Sequence, residues 1–276
     1  MESTVATSTV RVAQRLLSDA DLEFVTEGAR APAQLRMQLA TDEALRAEVL
    51  DDERLFRRVV ALDNAFVRIS PRLFFEVLLR RALRELGRTT HVIERSGSQH
   101  VPVFVGEEGL RAVAQPAVRD YLADMLASFT RVESHTTRVR VRRGVWRKAR
   151  YSDMDVPSLL RLAQQTDEAQ RMPVYKRAGD ACLLILGVFP DFAATATRYP
   201  GTGAPRRRGA RLSTEEYEHI SARAYRLAAE HPAAAEAGIA EPMWVLSEHV
   251  LDAKRPVSHI ADHHLRLRHG DLFGVR

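Results

Sequence analysis

The segment YKRAGDACLLILGVFPDF, residues 175–192, holds the longest unbroken apolar run of the chain and closes on Gly-Val-Phe-Pro-Asp. A run this apolar must be surrounded by other elements, so its conformation decides the class of the fold. As a buried parallel strand it would end in a loop carrying Asp191, where open α/β sheets bind ligands. A parallel strand, however, needs parallel partners joined by crossover helices. Every other strand-like piece of this chain is short, alternating and hairpin-linked. As a helix the run is self-consistent. Tyr175, Ala178, Cys182, Ile185 and Leu186 fall at helical spacing, and Lys176, Arg177 and Asp180 occupy the early turns. Gly187 stops or bends the helix, and Pro190 blocks its immediate resumption. The expectation is a helix over 173–186, with Asp191 a helix-end or cap residue and no catalytic acid.

A second core helix is marked by SPRLFFEVLLRRALRELG, 70–87. Ser70 suits the N-cap, Pro71 the first helical position and Gly87 the stop. Arg72, Glu76, Arg80 and Arg84 form one polar stripe, and the remaining faces are apolar. Further helices are predicted after Asp19, over Thr41–Leu50, from Asp51-Asp52-Glu53 into RLFRRVVAL, and through PAVRDYLADMLASF. Asp155 caps another, and Ser213-Thr214-Glu215-Glu216 is a capping box. Two helices, 241–252 and 256–268, are expected on either side of Lys254-Arg255-Pro256. The β-branched runs around Ser96-Gly97-Ser98 predict a hairpin over 89–105, and alternating Arg and Val predict a second over 136–151. The Gly/Pro/Arg-rich stretch 198–212 is expected to be an exposed loop.

These elements predict a predominantly all-α protein: one multi-helix domain of eight or nine helices packed on the 71–86 and 173–186 pair, with one or two small peripheral β-hairpins. Residues 1–50 form an acidic segment expected to pack on a helical body of 51–276. The motifs SPRLFFEVLLRRAL, YSDMD and GDACLLILGVFPD, with the closing helix pattern, resemble a group of microbial proteins of similar length to which no activity is assigned. The likeness runs from about Ser70 onward. It implies a helical protein and supplies no site residues.

Charge is unevenly spread. Residues 1–63 carry 8 Lys+Arg against 12 Asp+Glu, whereas residues 64–151 carry 17 against 8. Most of the basic residues are Arg, suited to binding two oxygens of a phosphate or carboxylate at once. The lone Cys182, inside the apolar run, fits a reducing cytoplasm. The N-terminus MESTVATSTVRVAQRLL lacks the basic start and apolar core of a signal peptide. No run approaches the roughly 18 apolar residues needed to span a bilayer, so no membrane role is expected.

Few chemistries have a foothold. PGTGAPRRRGAR lacks the Gly-Lys-Ser/Thr of a Walker loop, and its dinucleotide-type glycine pattern fails at Arg206. There is no Gly-x-Ser-x-Gly elbow, and a buried Cys182 is inert. No catalytic residue and no cofactor is assigned. His259 and His263, four apart with Asp262 between them, have metal-ligand spacing, although HExxH is absent and that face is expected to meet water. His264 falls in the apolar sector. The candidate anion- or nucleic-acid-binding patch is the basic hairpin: Arg138, Arg140, Arg142, Arg143, Trp146, Arg147, Lys148 and Arg150. It could equally meet the acidic first third of the chain or of a second copy. The leading expectation is a non-enzymatic binding or regulatory protein acting through protein–protein contacts, self-association included. The alternatives are nucleic-acid binding through 136–151 and a metal-dependent enzyme using His259 and His263.

Overall fold

A computed structural model describes residues 17–96, 99–130, 134–142, 145–152, 154–194 and 212–265. The order is α1 (Asp19–Thr26), α2 (Pro32–Thr41), α3 (Glu43–Leu50), α4 (Glu53–Val60), α5 (Ala65–Arg68), α6 (Pro71–Leu86), β1 (His91–Ser96), β2 (Gln99–Phe104), α7 (Glu107–Ala114) and α8 (Pro116–Ser128). Then follow β3 (Ser134–Arg142), β4 (Val145–Ser152), α9 (Val156–Gln165), a 3-10 turn at Glu168–Gln170, α10 (Met172–Val188), α11 (Pro190–Ala194), α12 (Thr214–Ala229), α13 (Pro232–Glu236), α14 (Ala240–Glu248) and α15 (Val250–His264). The protein is predominantly all-α. The described strands form two separate antiparallel hairpins, β1–β2 and β3–β4. No described helix is long and apolar enough to cross a membrane.

The apolar run is helix α10, and Ala181 through Val188 are buried in it without a gap. Asp191 lies in the first turn of the short α11. The described residues contain fifteen α-helices against the eight or nine expected, and prolines account for much of the difference. Pro32, Pro190 and Pro232 each open a new short helix, because proline fits the first turn while breaking whatever precedes it. The C-terminal boundary also differs from expectation. The break falls at His249, and α15 runs straight through Pro256, forgoing one backbone hydrogen bond.

The caps are those the sequence marks. The Ser70 hydroxyl accepts from the Leu73 N–H, and Ser213 with Glu216 closes a reciprocal capping box. Asp21 does more than cap its own helix. It is buried and accepts the Ser70 N–H at 2.7 Å, which ties α1 to the entrance of α6. Among the described side chains, the acidic first third meets arginines of α6: Asp51 binds Arg80 at 2.8 Å and Arg84 at 2.7 Å, and Glu53 binds Arg81. Arg80 and Glu76, 3.2 Å apart, are buried in consequence. Leu17, Phe24, Leu39 and Leu50 join the same apolar cluster as α6 and α10.

The expected central pair does not pack face to face. Helix α15 lies against both: α6 packs on α8 and α15, and α10 packs on α12, α9 and α15. Gly187 makes this possible, since a Cβ there would sit 2.5 Å from Val257 Cγ1. Within α10, Asp180 is fully buried. It accepts from Tyr121 Oη at 2.8 Å, Tyr225 Oη at 3.0 Å and Lys176 Nζ at 2.6 Å, pinning α8 and α12 to α10. The Tyr225 ring lies over Gly179, where a Cβ would meet it at 3.0 Å.

Candidate functional site

The close approach of α15 to α10 leaves a cavity of about 340 Å³ where α6, β1, α11 and α15 converge. Leu86, Val92, Pro190 and the largely exposed Ile93 give it an apolar side open to solvent, and Glu85, Lys254, Arg255, Ser258, His259, Asp262 and His263 supply charged and polar groups. Glu85 comes from the last turn of α6 and His259 from the outer half of α15, 174 residues apart in sequence. His259 Nε2 lies 2.7 Å from Glu85 Oε2. Arg81, one turn earlier on α6, takes the other carboxylate oxygen, Oε1, and also reaches Glu53. Its guanidinium lies over the Phe56 ring at 4.8 Å, and the His264 ring stands edge-on to that same ring at 5.3 Å.

Electrostatics follow from this packing. Burial raises the Glu85 carboxyl, but hydrogen bonds from His259 and Arg81 outweigh it and leave the group below the usual carboxylate range. Burial lowers His259, and the neighbouring His263 adds to that against the pull of Glu85. In this contact the His259 Nε2–H is the donor and the Glu85 carboxylate the acceptor. Burial also lowers His264, with His259 acting in the same direction.

The structure re-sorts the histidines. His263 is exposed; it stacks on His259 at 4.1 Å, and its Nδ1 is 2.9 Å from the His259 carbonyl. His259 is not on a water-facing stripe: only 16% of its side chain is exposed. His264, which the apolar pattern suggested was satisfied in the core or at its border, has an enclosed Nε2 with no hydrogen-bond partner among the described residues. Ligand atoms of Glu85, His259 and His264 all lie within 4.8 Å of one another. The reason is local: the Leu265 N–H bonds to the Ile260 carbonyl at 3.1 Å, one residue wider than the α register. His264 sits in this wide closing turn with its ring 6.2 Å from that of His259, while His263 remains stacked on His259 at 4.1 Å. Asp252 does not join them. It binds His249 at 3.1 Å and Arg255 at 2.6 Å.

The basic hairpin is formed by β3 and β4, with Arg138 opposite Lys148 and Arg140 opposite Trp146. The register slips between Arg140 and Arg142, so the simple alternation expected through Arg142 is interrupted. Arg143 lies outside the described residues, as do the side chains of Arg138, Arg140, Arg142, Trp146, Arg147, Lys148 and Arg150 and most of the stretch 198–212.

Sequence reasoning missed Glu85 and Arg81. One signal was available: they form a charged pair four residues apart, off the main polar stripe, at the end of an otherwise apolar helix. No protein-family model matches the chain, and neither a curated protein nor a solved structure is significantly similar to it.

Proposed function

We propose that this is a binding protein whose ligand is a small molecule seated in the α6–β1–α11–α15 cavity. The observation that carries this reading is the cavity itself: about 340 Å³, partly open, lined by Leu86, Val92, Ile93 and Pro190, with polar and charged groups at Glu85, Lys254, Arg255, Ser258, His259 and Asp262. Small-molecule sites have this anatomy, an apolar enclosure of a few hundred Å³ with a few placed polar groups. The ligand expected is correspondingly amphipathic, with an apolar body and a polar head that can both donate and accept. This moves recognition from the basic hairpin to the interior face of α15. It puts a small-molecule ligand in place of the protein–protein contacts expected from the sequence, in a reducing cytoplasm suited to the buried thiol of Cys182.

Titration with anilinonaphthalene sulfonate, an apolar fluorophore with an anionic head, tests the proposal. The wild-type protein should bind one equivalent saturably, with blue-shifted emission. Ser258→Trp, which fills the cavity from its half-buried wall, should abolish that binding while leaving the circular dichroism spectrum unchanged. Equal binding by folded Ser258→Trp would refute it.

A further inference from the structure

We propose that Glu85, His259 and His264 form a divalent transition-metal site, of the zinc class, set into the wall of the cavity. Three observations carry it. Ligand atoms of the three side chains already lie within 4.8 Å of one another, although Glu85 and His259 are 174 residues apart in sequence. The Glu85–His259 contact is 2.7 Å. A tetrahedral zinc ion, with bonds of about 2.0–2.2 Å to nitrogen and carboxylate oxygen, separates its ligands by roughly 3.4 Å. The Glu85–His259 contact is shorter than that and no spacing in the group exceeds 4.8 Å, so side-chain adjustments of roughly 1 Å reach it. The enclosed His264 Nε2 has no hydrogen-bond partner among the described residues. An imidazole nitrogen left in that state costs free energy, and a metal ion satisfies it.

The surroundings also suit ligation. Arg81 holds Glu85 through Oε1 and leaves Oε2 facing His259, the arrangement in which an outer partner orients a ligating carboxylate. The charge of Arg81 is shared with Glu53, so it does not neutralise Glu85 alone. On metal binding the Nε2 proton that His259 shares with Glu85 is displaced. The ring takes the tautomer with its proton on Nδ1, and the ion occupies the former hydrogen-bond position. Two imidazoles and one carboxylate select zinc-like ions over magnesium or calcium. Three protein ligands leave a fourth position, and Glu85 and His259 both line the cavity. The site does not depend on the cavity having an organic occupant.

The test uses untagged, full-length protein freed of metal by chelation. Isothermal titration with zinc chloride should give one equivalent. Cobalt(II) should produce the intense visible bands of a four-coordinate ion. Glu85→Gln, His259→Ala and His264→Ala should each weaken zinc binding by about 100-fold, while His263→Ala changes it by less than about threefold. Circular dichroism confirms that each variant is folded. Absence of stoichiometric zinc binding by the wild-type protein overturns the proposal. So does loss of binding in His263→Ala with retention in His264→Ala. Fluorophore binding by the metal-free protein would stand in either case, so failure of the metal site is distinguishable from failure of the cavity.

Discussion

Replacing Asp180 by alanine should be among the most damaging single changes in the protein. The carboxylate is fully buried and accepts from three donors, Tyr121 Oη, Tyr225 Oη and Lys176 Nζ. Both tyrosines are buried, so truncation strands two hydroxyls away from water. Each stranded hydroxyl costs about 1–3 kcal/mol, hence roughly 2–6 kcal/mol for the pair. Lys176 adds little, because 29% of its side chain is exposed and its ammonium group can turn to solvent. A loss of about 4 kcal/mol is a large part of the 5–15 kcal/mol that typically separates folded from unfolded protein. With a denaturant slope of about 2–3 kcal/mol/M, it lowers the urea midpoint by roughly 1–2 M in an unfolding curve followed by circular dichroism. The discriminating experiment is the triple variant Asp180→Ala, Tyr121→Phe, Tyr225→Phe. It removes the carboxylate and both stranded hydroxyls together, and should recover at least half of the lost midpoint. If it is no more stable than Asp180→Ala alone, the cost lies in packing and the hydrogen-bond argument is wrong.

Gly187→Ala should destabilise the protein by about 1–3 kcal/mol, because the new methyl overlaps Val257, and Gly187→Ala with Val257→Ala should restore most of the loss; thermal melts of the four-member cycle check this. Alkaline titration should separate the buried tyrosines from the others. Burial, reinforced by the neighbouring Asp180, raises Tyr121 and Tyr225 well above 10.0. Folding thus favours their neutral forms over the phenolates. The stability they contribute is therefore complete below pH 10 and is lost as pH rises through the folded values. Phenolate absorbance at 295 nm, about the usual tyrosinate band, should show these two ionising only together with loss of the circular dichroism signal; their ionisation in the folded protein would contradict the burial.

The helical class of this protein was legible before any coordinates. Ser70, Pro71 and Gly87 bracket α6 by local chemistry alone, and the capping box at Ser213 starts α12 on the same basis. The apolar run of α10 could be read as a helix because no other segment offered it a parallel strand. Caps, prolines and 3.6-residue spacing act over a few neighbouring residues, so the sequence carries them directly. The site is a different matter. The bond between Glu85 and His259 joins residues 174 apart, and it exists because the absent side chain of Gly187 lets α15 settle on α10. His264, in the widened last turn of that helix, has the enclosed nitrogen, whereas four-residue spacing pointed to His263. Asp180 reads in sequence as an ordinary polar residue near a helix start, yet it is the buried acceptor that fastens α8 and α12 to α10. Local spacing determined which helices form and which faces they bury. Which charges end up together, and around what space, was decided only by how those faces came to rest on one another, since a side-chain constellation depends on distances that no local pattern encodes.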